Sequence, residues 1–363
     1  MLVNFPTEWR RFGILTLSTA MVPFAMLTIT VQIVAQNTGG GQIITFDAPG
    51  AGVESGQGTV PRSINLSGEI TGEYYDQNGV VHGFLRTAYG SLSTFDVPGA
   101  STGNGQGTFP ESVNPWGEIT GFYYDASSTV VYTRGFNRDA NGVITTFDAG
   151  PNLGTIPLSI NRRGEITGSY SSQGFVRAAD GTITTFAASQ FVTSPKSINS
   201  WGEITGWYED ASSVVHGFVR DVSGTITPFD AGPDTTPASI NSRGEITGYY
   251  SSAPSAIQGF VRFADGTTTS FVVGSNSYTI PYGINESGQI TGAYFQANSL
   301  VHGFVRAPNG TIATFDAPGA AEPYSGDGTI PQSINSKGAI TGWYSDAKGA
   351  YHGFLWIPAS CCN

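Results

Sequence analysis

The sequence predicts an all-β fold, a seven-bladed β-propeller with four antiparallel strands in each blade. One module recurs seven times, and its four segments read T-x-P-x-S-I-N, G-E-I-T-G-x-Y, H-G-F-V-R and T-I-T-T-F-D. The chain opens with only the fourth segment, Ile43 to Asp47, and ends shortly after the third, at Trp356. Seven complete modules therefore exist only if the opening segment joins the last module. Such a ring of short strands is a propeller, closed by its N-terminal strand.

The first complete module shows why each segment forms a short strand. Pro61 begins strand one, where no donor is needed for the hydrogen-bond ladder. Asn65 to Gly68 forms a tight turn, because Asn bonds its own following backbone and Gly adopts a positive φ. The four strands are predicted over Arg62–Asn65, Glu69–Tyr75, Val81–Arg86 and Ser91–Asp96.

Residues repeated in all seven modules are predicted to serve the architecture. Blades pack face to face, so a ring on one sheet needs a gap opposite it, and a strand glycine provides that gap. We expect Phe84 and its equivalents to fill gaps made by glycines such as Gly72.

Charged residues at the strand ends are also predicted to be structural. Glu69 begins strand two and Arg86 ends strand three, so we expect the two side chains to pair across the hairpin. The last module has lost both partners and holds Ala339 and Trp356 instead. The predicted pairs are Glu69–Arg86, Glu118–Arg138, Glu165–Arg177, Glu203–Arg220 and Glu245–Arg262.

Three histidines follow an aspartate by six residues, across the loop between strands two and three. We expect each aspartate and histidine to hydrogen-bond and hold that loop. Metal ligation is the alternative, but equivalent residues on different blades are held apart, so each site would have only two ligands. No metal and no cofactor are predicted. The pairs are Asp76–His82, Asp210–His216 and Asp346–His352.

Residues 1–35 are predicted to lie outside the propeller, which occupies residues 36–363. Arg10 and Arg11 precede an uncharged apolar run that ends at Ala35. This pattern is typical of a secretory signal cleaved after Ala35, and an uncleaved membrane anchor is the alternative. Either way, we expect a secreted, periplasmic or extracellular domain that touches the membrane only through this segment.

The composition excludes several partners. The net charge is −11, so the surface repels phosphate groups, and nucleic acid is not an expected partner. The two cysteines, Cys361 and Cys362, are adjacent, so no disulfide framework exists.

The His-Gly-Phe sequence of strand three, for example His82 to Phe84, lies in repeats of this length behind a signal-like segment. In these features the chain resembles the HAF-family bacterial extracellular repeat proteins over Ile43 to Trp356. The resemblance implies secretion and a β-propeller-like fold. It assigns no catalytic residue, because the family is defined by its repeat.

The modules differ most in the connection from strand four to the next strand one. Three neighbouring connections are long and rich in glycine: Ala48–Gly58, Val97–Gly107 and Ala317–Gly328. Loops on a rigid frame commonly bind ligands, although drift in loop length is the alternative explanation. The predicted ligand contacts are Glu54, Gln57, Asn104, Gln106, Tyr324 and Asp327, together with Trp207 from strand two.

Three classes of function remain open at this stage. The first is a non-catalytic module that binds an extracellular glycan or protein through the long loops. The second is a hydrolase or lyase that uses the same face of the propeller, and the third is a structural protein of the envelope or matrix. Paired-acid hydrolysis would require two carboxylates from different modules to lie within about 10 Å.

Overall fold

The computed structural model describes residues 37–38, 41–127, 132–151, 154–253, 256–274, 278–295, 301–321 and 328–359. Within these residues the chain forms 29 β-strands and no helix. The predicted signal or anchor segment, Tyr324, Asp327 and the two cysteines lie outside the described residues. In the part of the chain that is described, no helix is long and apolar enough to cross a membrane.

Each blade contains four antiparallel strands in chain order, except that the last blade takes one strand from the start of the chain. Blade one has β3 (Gly58–Ile64), β4 (Ile70–Tyr75), β5 (Val81–Arg86) and β6 (Leu92–Phe95). Blade two has β7 (Thr108–Val113), β8 (Ile119–Asp125), β9 (Tyr132–Arg138) and β10 (Ile144–Phe147). Blade three has β11 (Thr155–Ile160), β12 (Ile166–Tyr170), β13 (Gln173–Arg177) and β14 (Ile183–Phe186).

The remaining blades repeat this order. Blade four has β15 (Thr193–Ile198), β16 (Ile204–Glu209), β17 (Val215–Arg220) and β18 (Ile226–Phe229). Blade five has β19 (Thr236–Ile240), β20 (Ile246–Ala253), β21 (Ala256–Arg262) and β22 (Thr268–Phe271). Blade six has β23 (Tyr278–Ile284), β24 (Ile290–Phe295), β25 (Val301–Arg306) and β26 (Ile312–Phe315). Blade seven has β27 (Thr329–Ile334), β28 (Ile340–Ser345), β29 (Tyr351–Pro358) and β2 (Gly41–Phe46).

The two ends of the chain meet in blade seven, as the sequence predicts. Strand β2 pairs antiparallel with β29, so that Thr45 lies opposite Phe354. The short strand β1 (Asn37–Thr38) adds to the outer edge of β2. This pairing gives blade seven its fourth strand, which comes from the N-terminal part of the chain.

The turns between strands one and two form a ring of hydrogen bonds that also joins the last blade to the first. The Asn65 side chain donates to the backbone oxygen of Asn114 in the next turn, at 3.0 Å. The same bond recurs around the molecule until Asn335 donates to the backbone oxygen of Asn65, also at 3.0 Å. The full series is Asn65, Asn114, Asn161, Asn199, Asn241, Asn285 and Asn335.

Because the strands alternate in direction, the molecule has two distinct faces. We call the face with these asparagine turns the turn face. The opposite face carries the connections from strand two to three and from strand four to the next strand one, and we call it the loop face.

The blades pack through the repeated phenylalanines and glycines. Phe84 is fully buried and lies directly opposite Gly72 within its own blade, rather than opposite a glycine of the neighbouring blade. A second gap lies in strand three, where a Cβ on Gly83 would stand 2.8 Å from the Phe95 ring and 2.9 Å from Pro110 of the next blade. Any side chain at Gly83 would therefore separate two blades.

The predicted glutamate–arginine pairs are wrong. The Glu69 carboxylate instead accepts a hydrogen bond from the Asn65 side chain at 2.7 Å. The Arg86 guanidinium lies over the Phe46 ring of the preceding blade, 5.1 Å from the ring centre. The strand register explains this difference. Ile70, not Glu69, is opposite Arg86, so the two charged side chains leave the sheet on opposite faces.

The same two contacts recur in the other blades. The carboxylates of Glu118, Glu165, Glu203 and Glu245 each accept from the asparagine four residues earlier. In blade seven Trp356 occupies the arginine position and stacks on Phe315 with ring centres 5.6 Å apart. In blade seven, a tryptophan ring thus replaces the arginine side chain as the group that stacks on the phenylalanine of the preceding blade. The other stacked arginines are Arg138, Arg177, Arg220, Arg262 and Arg306.

Candidate functional site in the central channel

Strand one forms the inner edge of every blade and positions the candidate site. The inner strands of neighbouring blades contact one another; for example, the Ser333 hydroxyl accepts from the backbone nitrogen of Ile64 at 3.3 Å. In each blade the strand pairing shifts between the repeated proline and the residue two positions later, as between Pro61 and Ser63. The intervening residue is therefore displaced from the regular ladder.

This displaced position holds a different residue in every blade. The seven residues are Arg62, Glu111, Leu158, Lys196, Ala238, Tyr282 and Gln332. The charge on Lys196 in blade four acts on Glu111 in blade two, and Arg62 in blade one acts on Tyr282 in blade six. The first strands of all seven blades contact one another around the ring, so this position of every blade lies at the inner edge, next to the common axis. We call the space that these side chains face the central channel.

An arginine–glutamate pair anchors one side of the channel. The Nε atom of Arg62 donates to both carboxylate oxygens of Glu73, at 2.9 and 3.1 Å. The Glu73 side chain is fully buried, whereas the Arg62 side chain is 32% exposed to solvent. Burial alone would lower the pKa of Arg62, but the charges of Glu73 and Glu111 outweigh burial and raise it. Arg62 therefore remains a fixed positive charge in the channel.

Glu111 is the titratable acid of the channel. Its enclosure raises the pKa of the carboxyl to about 7, and the charge of Glu73 pushes the pKa in the same direction. Arg62 and Lys196 oppose this shift. Burial also lowers the pKa of the Lys196 amine, while the Glu111 charge opposes that change. Near neutral pH, the protonated and the ionised forms of Glu111 therefore coexist, so the carboxyl group can donate or accept a hydrogen bond.

Tyrosines complete the polar lining. Burial raises the pKa of Tyr282 to about 12, with a further contribution from Tyr249 on the neighbouring blade. Burial, followed by the charge of Glu73, raises the pKa of Tyr75. These hydroxyls stay protonated at physiological pH and offer donors beside aromatic surface.

The arrangement suits binding better than paired-acid hydrolysis. The charges of two carboxylates from different modules, Glu73 and Glu111, both act on Arg62. Glu73 is fully buried and held by both of its oxygens, so it is not available to activate water. Among the seven channel-facing positions Glu111 is the one carboxylate, whereas the two-acid mechanism requires two.

Sequence reasoning missed these channel residues, although a signal for them was present. Differences between the modules indicate function at the long loops and in strand two, and they also occur at the second variable position of T-x-P-x-S-I-N. Seven different residues occupy the position between the invariant proline and a serine that is conserved in all modules but one. This variation was the sequence signal for the channel residues.

The predicted loop contacts lie on the loop face, and some of them are engaged within the protein. The Gln57 side chain donates to the backbone oxygen of Gln77 at 3.1 Å. Gln106 accepts from the Ser101 hydroxyl at 2.5 Å. Glu54 and Asn104 are exposed, and Trp207 is half-buried in strand β16.

The long loops brace neighbouring blades. The Gln106 backbone oxygen accepts from Val81 in blade one at 2.8 Å, and the Gly107 oxygen accepts from Tyr124 in blade two at 3.0 Å. Gly107 adopts a φ of +139° at this crossing, and Gly58 and Gly328 occupy the same place in the other two long loops. The ends of these long loops thus join neighbouring blades.

The histidines have a closer partner than the one predicted. His82 Nδ1 lies 2.9 Å from Asp96 at the end of strand four, whereas its Nε2 is 3.9 Å from Asp76. Nε2 of His216 hydrogen-bonds Asp210 at 3.4 Å, as predicted, and Nε2 of His352 lies 3.6 Å from Asp346. Distances beyond 3.5 Å are too long for a hydrogen bond, so the loop aspartate is the secondary partner.

The strand-four aspartate and the basic residue of strand three occur together. Arg134 replaces histidine in blade two and contacts Asp148 at 2.8 Å. Gln173 and Gln258 replace it in blades three and five, where Ala187 and Val272 stand in place of the aspartate. Among the described residues, no group of three or more acidic, histidine or cysteine side chains is placed to hold a metal ion. The contacts of His82 with Asp96 and of Arg134 with Asp148 join strand three to strand four.

No family model matches the chain, and no curated protein matches it. Solved structures share its fold. The β-propeller domain of the Trilobed protease from Pyrococcus furiosus, which has an open velcro topology, aligns with a TM-score of 0.58 and 10% identity over 84% of this chain and 94% of that domain. Acylaminoacyl peptidase from Pyrococcus horikoshii aligns with a TM-score of 0.56 and 9% identity, over 81% of this chain and 50% of the peptidase.

A puromycin hydrolase aligns with a TM-score of 0.53 and 13% identity, over 81% of this chain and 51% of the hydrolase. The chain thus spans about half the length of these two enzymes. At such low identity the likeness establishes the propeller fold and nothing about activity.

Proposed function

We propose that the protein is an exported binding propeller, without catalytic activity, that takes a polar ligand into its central channel from the loop face. One observation carries this proposal: the channel-facing position differs in all seven blades, while the residues around it repeat. A purely architectural role would favour the same residue seven times. A single asymmetric ligand on the axis meets each blade differently, and it therefore favours seven different side chains.

The chemistry of the lining supports an extended polar ligand, such as a segment of a glycan or an exposed segment of another protein. Arg62 and Lys196 donate, Glu111 donates or accepts, and Tyr282 adds a donor beside an aromatic ring. Fixed polar groups on a rigid frame bind without a large ordering cost. The aromatic surface adds contact area for a sugar ring or an apolar side chain.

Export and family membership belong to the same proposal. The signal-like segment and the resemblance to HAF-family extracellular repeats support a location outside the cytoplasm. Fractionation of the native host, with mass spectrometry of the N-terminus, tests this part. Recovery of the protein in the cytoplasm with residues 1–35 intact would contradict it.

Binding is tested by screening the purified protein against glycan and peptide arrays, followed by titration of any ligand found. We expect Glu111→Gln and Lys196→Met to weaken binding by about tenfold each, which corresponds to about 1.4 kcal/mol. Lys337→Met removes a lysine that is exposed on the turn face and serves as the matched control. If the channel variants leave the affinity for the ligand unchanged, the ligand does not bind in the channel, and that part of the proposal is wrong.

A hydrolytic role is the second candidate, and the raised pKa of Glu111 is the observation that favours it, because an acid with a pKa near 7 suits general acid–base chemistry. Glu111→Gln separates the two roles. Turnover of an array ligand by the protein, abolished in Glu111→Gln, would favour hydrolysis. Binding without turnover favours the proposal made here.

A further inference from the structure

The turn face carries exposed tryptophan and arginine side chains in three consecutive turns. Trp116 lies in the turn of blade two, Arg162 and Arg163 lie in that of blade three, and Trp201 lies in that of blade four. We call these four residues the turn arc. Their turns are neighbours in space, because the Asn114 and Asn161 side chains each bond the next turn.

The two tryptophan rings are exposed and yet held in place. Trp116 is 67% exposed and Trp201 is 51% exposed. Each indole nitrogen donates to the backbone of the next turn, from Trp116 to Arg162 at 2.9 Å and from Trp201 to Ser242 at 2.8 Å. Large apolar rings that are fixed in solvent are ready to stack on a ligand without loss of conformational entropy.

The turn itself does not require these residues. Ser67 and Ser287 occupy the tryptophan position in blades one and six, where the same asparagine turn forms. Both strands flanking the turn are equally well paired in those blades. The tryptophans of the turn arc therefore call for an explanation beyond the architecture.

The arginines of the turn arc are not neutralised. Arg163 lies over the Trp201 ring, 5.8 Å from its centre, and donates to the Trp201 backbone oxygen at 3.1 Å. Arg243, one blade further on, pairs with Glu245, but within the described residues neither Arg162 nor Arg163 forms an ion pair. The glutamate carboxylates that follow these three turns accept hydrogen bonds from the turn asparagines, so the two guanidinium groups between the exposed tryptophans are left to contact an anionic ligand.

A groove beside the turn arc gives the ligand a path. It opens between blades three and four, and its lining includes Arg163, Glu165, Thr182, Thr184, Trp201 and Arg220. The lining combines an aromatic ring, hydroxyls, two guanidinium groups and one carboxylate, and that carboxylate already accepts a hydrogen bond from the Asn161 side chain. This combination matches a sugar ring, which has apolar faces and a hydroxylated edge, more closely than it matches an apolar helix.

We propose that the turn arc binds an acidic polysaccharide, a chain of sugar rings that bear carboxylates. Its rings stack on Trp116 and Trp201, and its carboxylates accept paired hydrogen bonds from Arg162 and Arg163. This site lies on the opposite face from the long loops, and it is independent of the ligand proposed for the channel.

The test is electrophoresis of the full protein through native gels that contain polygalacturonate, a neutral β-glucan, poly-glutamate or no polymer. We expect retardation by polygalacturonate alone, and weaker retardation as the salt concentration rises. Trp116→Ala, Trp201→Ala and the double variant Arg162→Gln/Arg163→Gln each weaken binding by about tenfold. Tyr89→Ser is the matched control, because Tyr89 is 99% exposed on the same face and lies outside the turn arc.

Trp201→Phe separates stacking from pinning of the turn. Phenylalanine keeps an aromatic ring and loses the indole donor, so a stacking role predicts that this variant binds better than Trp201→Ala. Equal loss in the two variants, together with a lowered melting temperature, would mean that Trp201 only joins the turns. Equal retardation by the neutral glucan or by poly-glutamate would overturn the proposal, as would unchanged polygalacturonate binding in the arc variants.

Discussion

Replacing Arg62 by Met is the sharpest test of the charged pair in the channel. The change leaves the fully buried Glu73 carboxylate without the donor that now contacts both of its oxygens. Breaking a buried pair from one side costs about 3–5 kcal/mol, since the remaining charge is uncompensated. Arg62 keeps 32% exposure, so water relieves part of this cost, and we expect a loss of about 3 kcal/mol.

The reverse change should cost less. In Glu73→Gln the charge left behind is that of Arg62, which reaches solvent, so we expect a loss of about 1 kcal/mol. The double variant Arg62→Met/Glu73→Gln should recover most of the stability lost in Arg62→Met, because no buried charge is left without a partner.

The free energy of unfolding is measured by urea titration, and scanning calorimetry provides the melting temperature. For a domain of this size, a loss of about 3 kcal/mol lowers the melting temperature by about 4 °C. Arg162→Met, an exposed arginine without an ion pair, controls for loss of charge and should change stability by less than about 0.5 kcal/mol. If Arg62→Met costs no more than Glu73→Gln, the reasoning from burial is refuted.

Three further predictions follow from the loop face and the channel. Gly107→Ala places a Cβ 2.7 Å from the carbonyl carbon of Val81 at a φ of +139°, so urea titration should show a loss of about 1–3 kcal/mol. The hydrogen bond that His352 donates to the Asp47 carboxylate raises the pKa of His352. The contribution of this bond to stability is therefore complete below the unfolded pKa of about 6.5 and is lost as pH rises through the folded value. His352→Gln should flatten the fall in melting temperature above pH 6.5, and an unchanged profile would contradict this contact. Enclosure raises the pKa of Glu111 to about 7, so its deprotonation destabilises the fold between about pH 4.3 and pH 7, and Glu111→Gln should remove that part of the pH dependence.

The repeat made most of the fold predictable. A proline at a strand start, an asparagine turn and paired glycines each have a local physical meaning, and seven copies of each leave little freedom in the strand order. The pairing of β2 with β29 followed from counting segments, and the structure contains it.

Contacts that depend on register or on distant strands were not predictable in the same way. Glu69 lies at the start of strand two and Arg86 lies at the end of strand three, as expected. However, Arg86 is opposite Ile70 rather than Glu69, and this difference of one residue places the two charged side chains on opposite faces of the sheet. The main partner of His352 is Asp47, 305 residues earlier in the chain, and it becomes a neighbour only after the ring is assembled.

The candidate site was the least predictable part. Glu111 and Lys196 lie in different modules, and only the ring brings them to a common axis. Exposed tryptophans in turns carry no strand period, so Trp116 and Trp201 were not recognised as a set. Variation after the repeated proline was the sequence signal for the channel, and variation within the asparagine turn was the signal for the turn arc.

The central claim is that the two ends of the chain pair within one blade and so create the channel. Gln42 and Ile357 lie directly opposite each other in strands β2 and β29, and both are exposed. With Cys361 and Cys362 replaced by serine, Gln42→Cys and Ile357→Cys should form an intramolecular disulfide on mild oxidation, since opposite Cβ atoms lie about 4.5–5.5 Å apart. Mass spectrometry of the linked peptides would identify that bond. Free thiols after oxidation, or linkage only between separate molecules, would contradict the pairing and the channel with it.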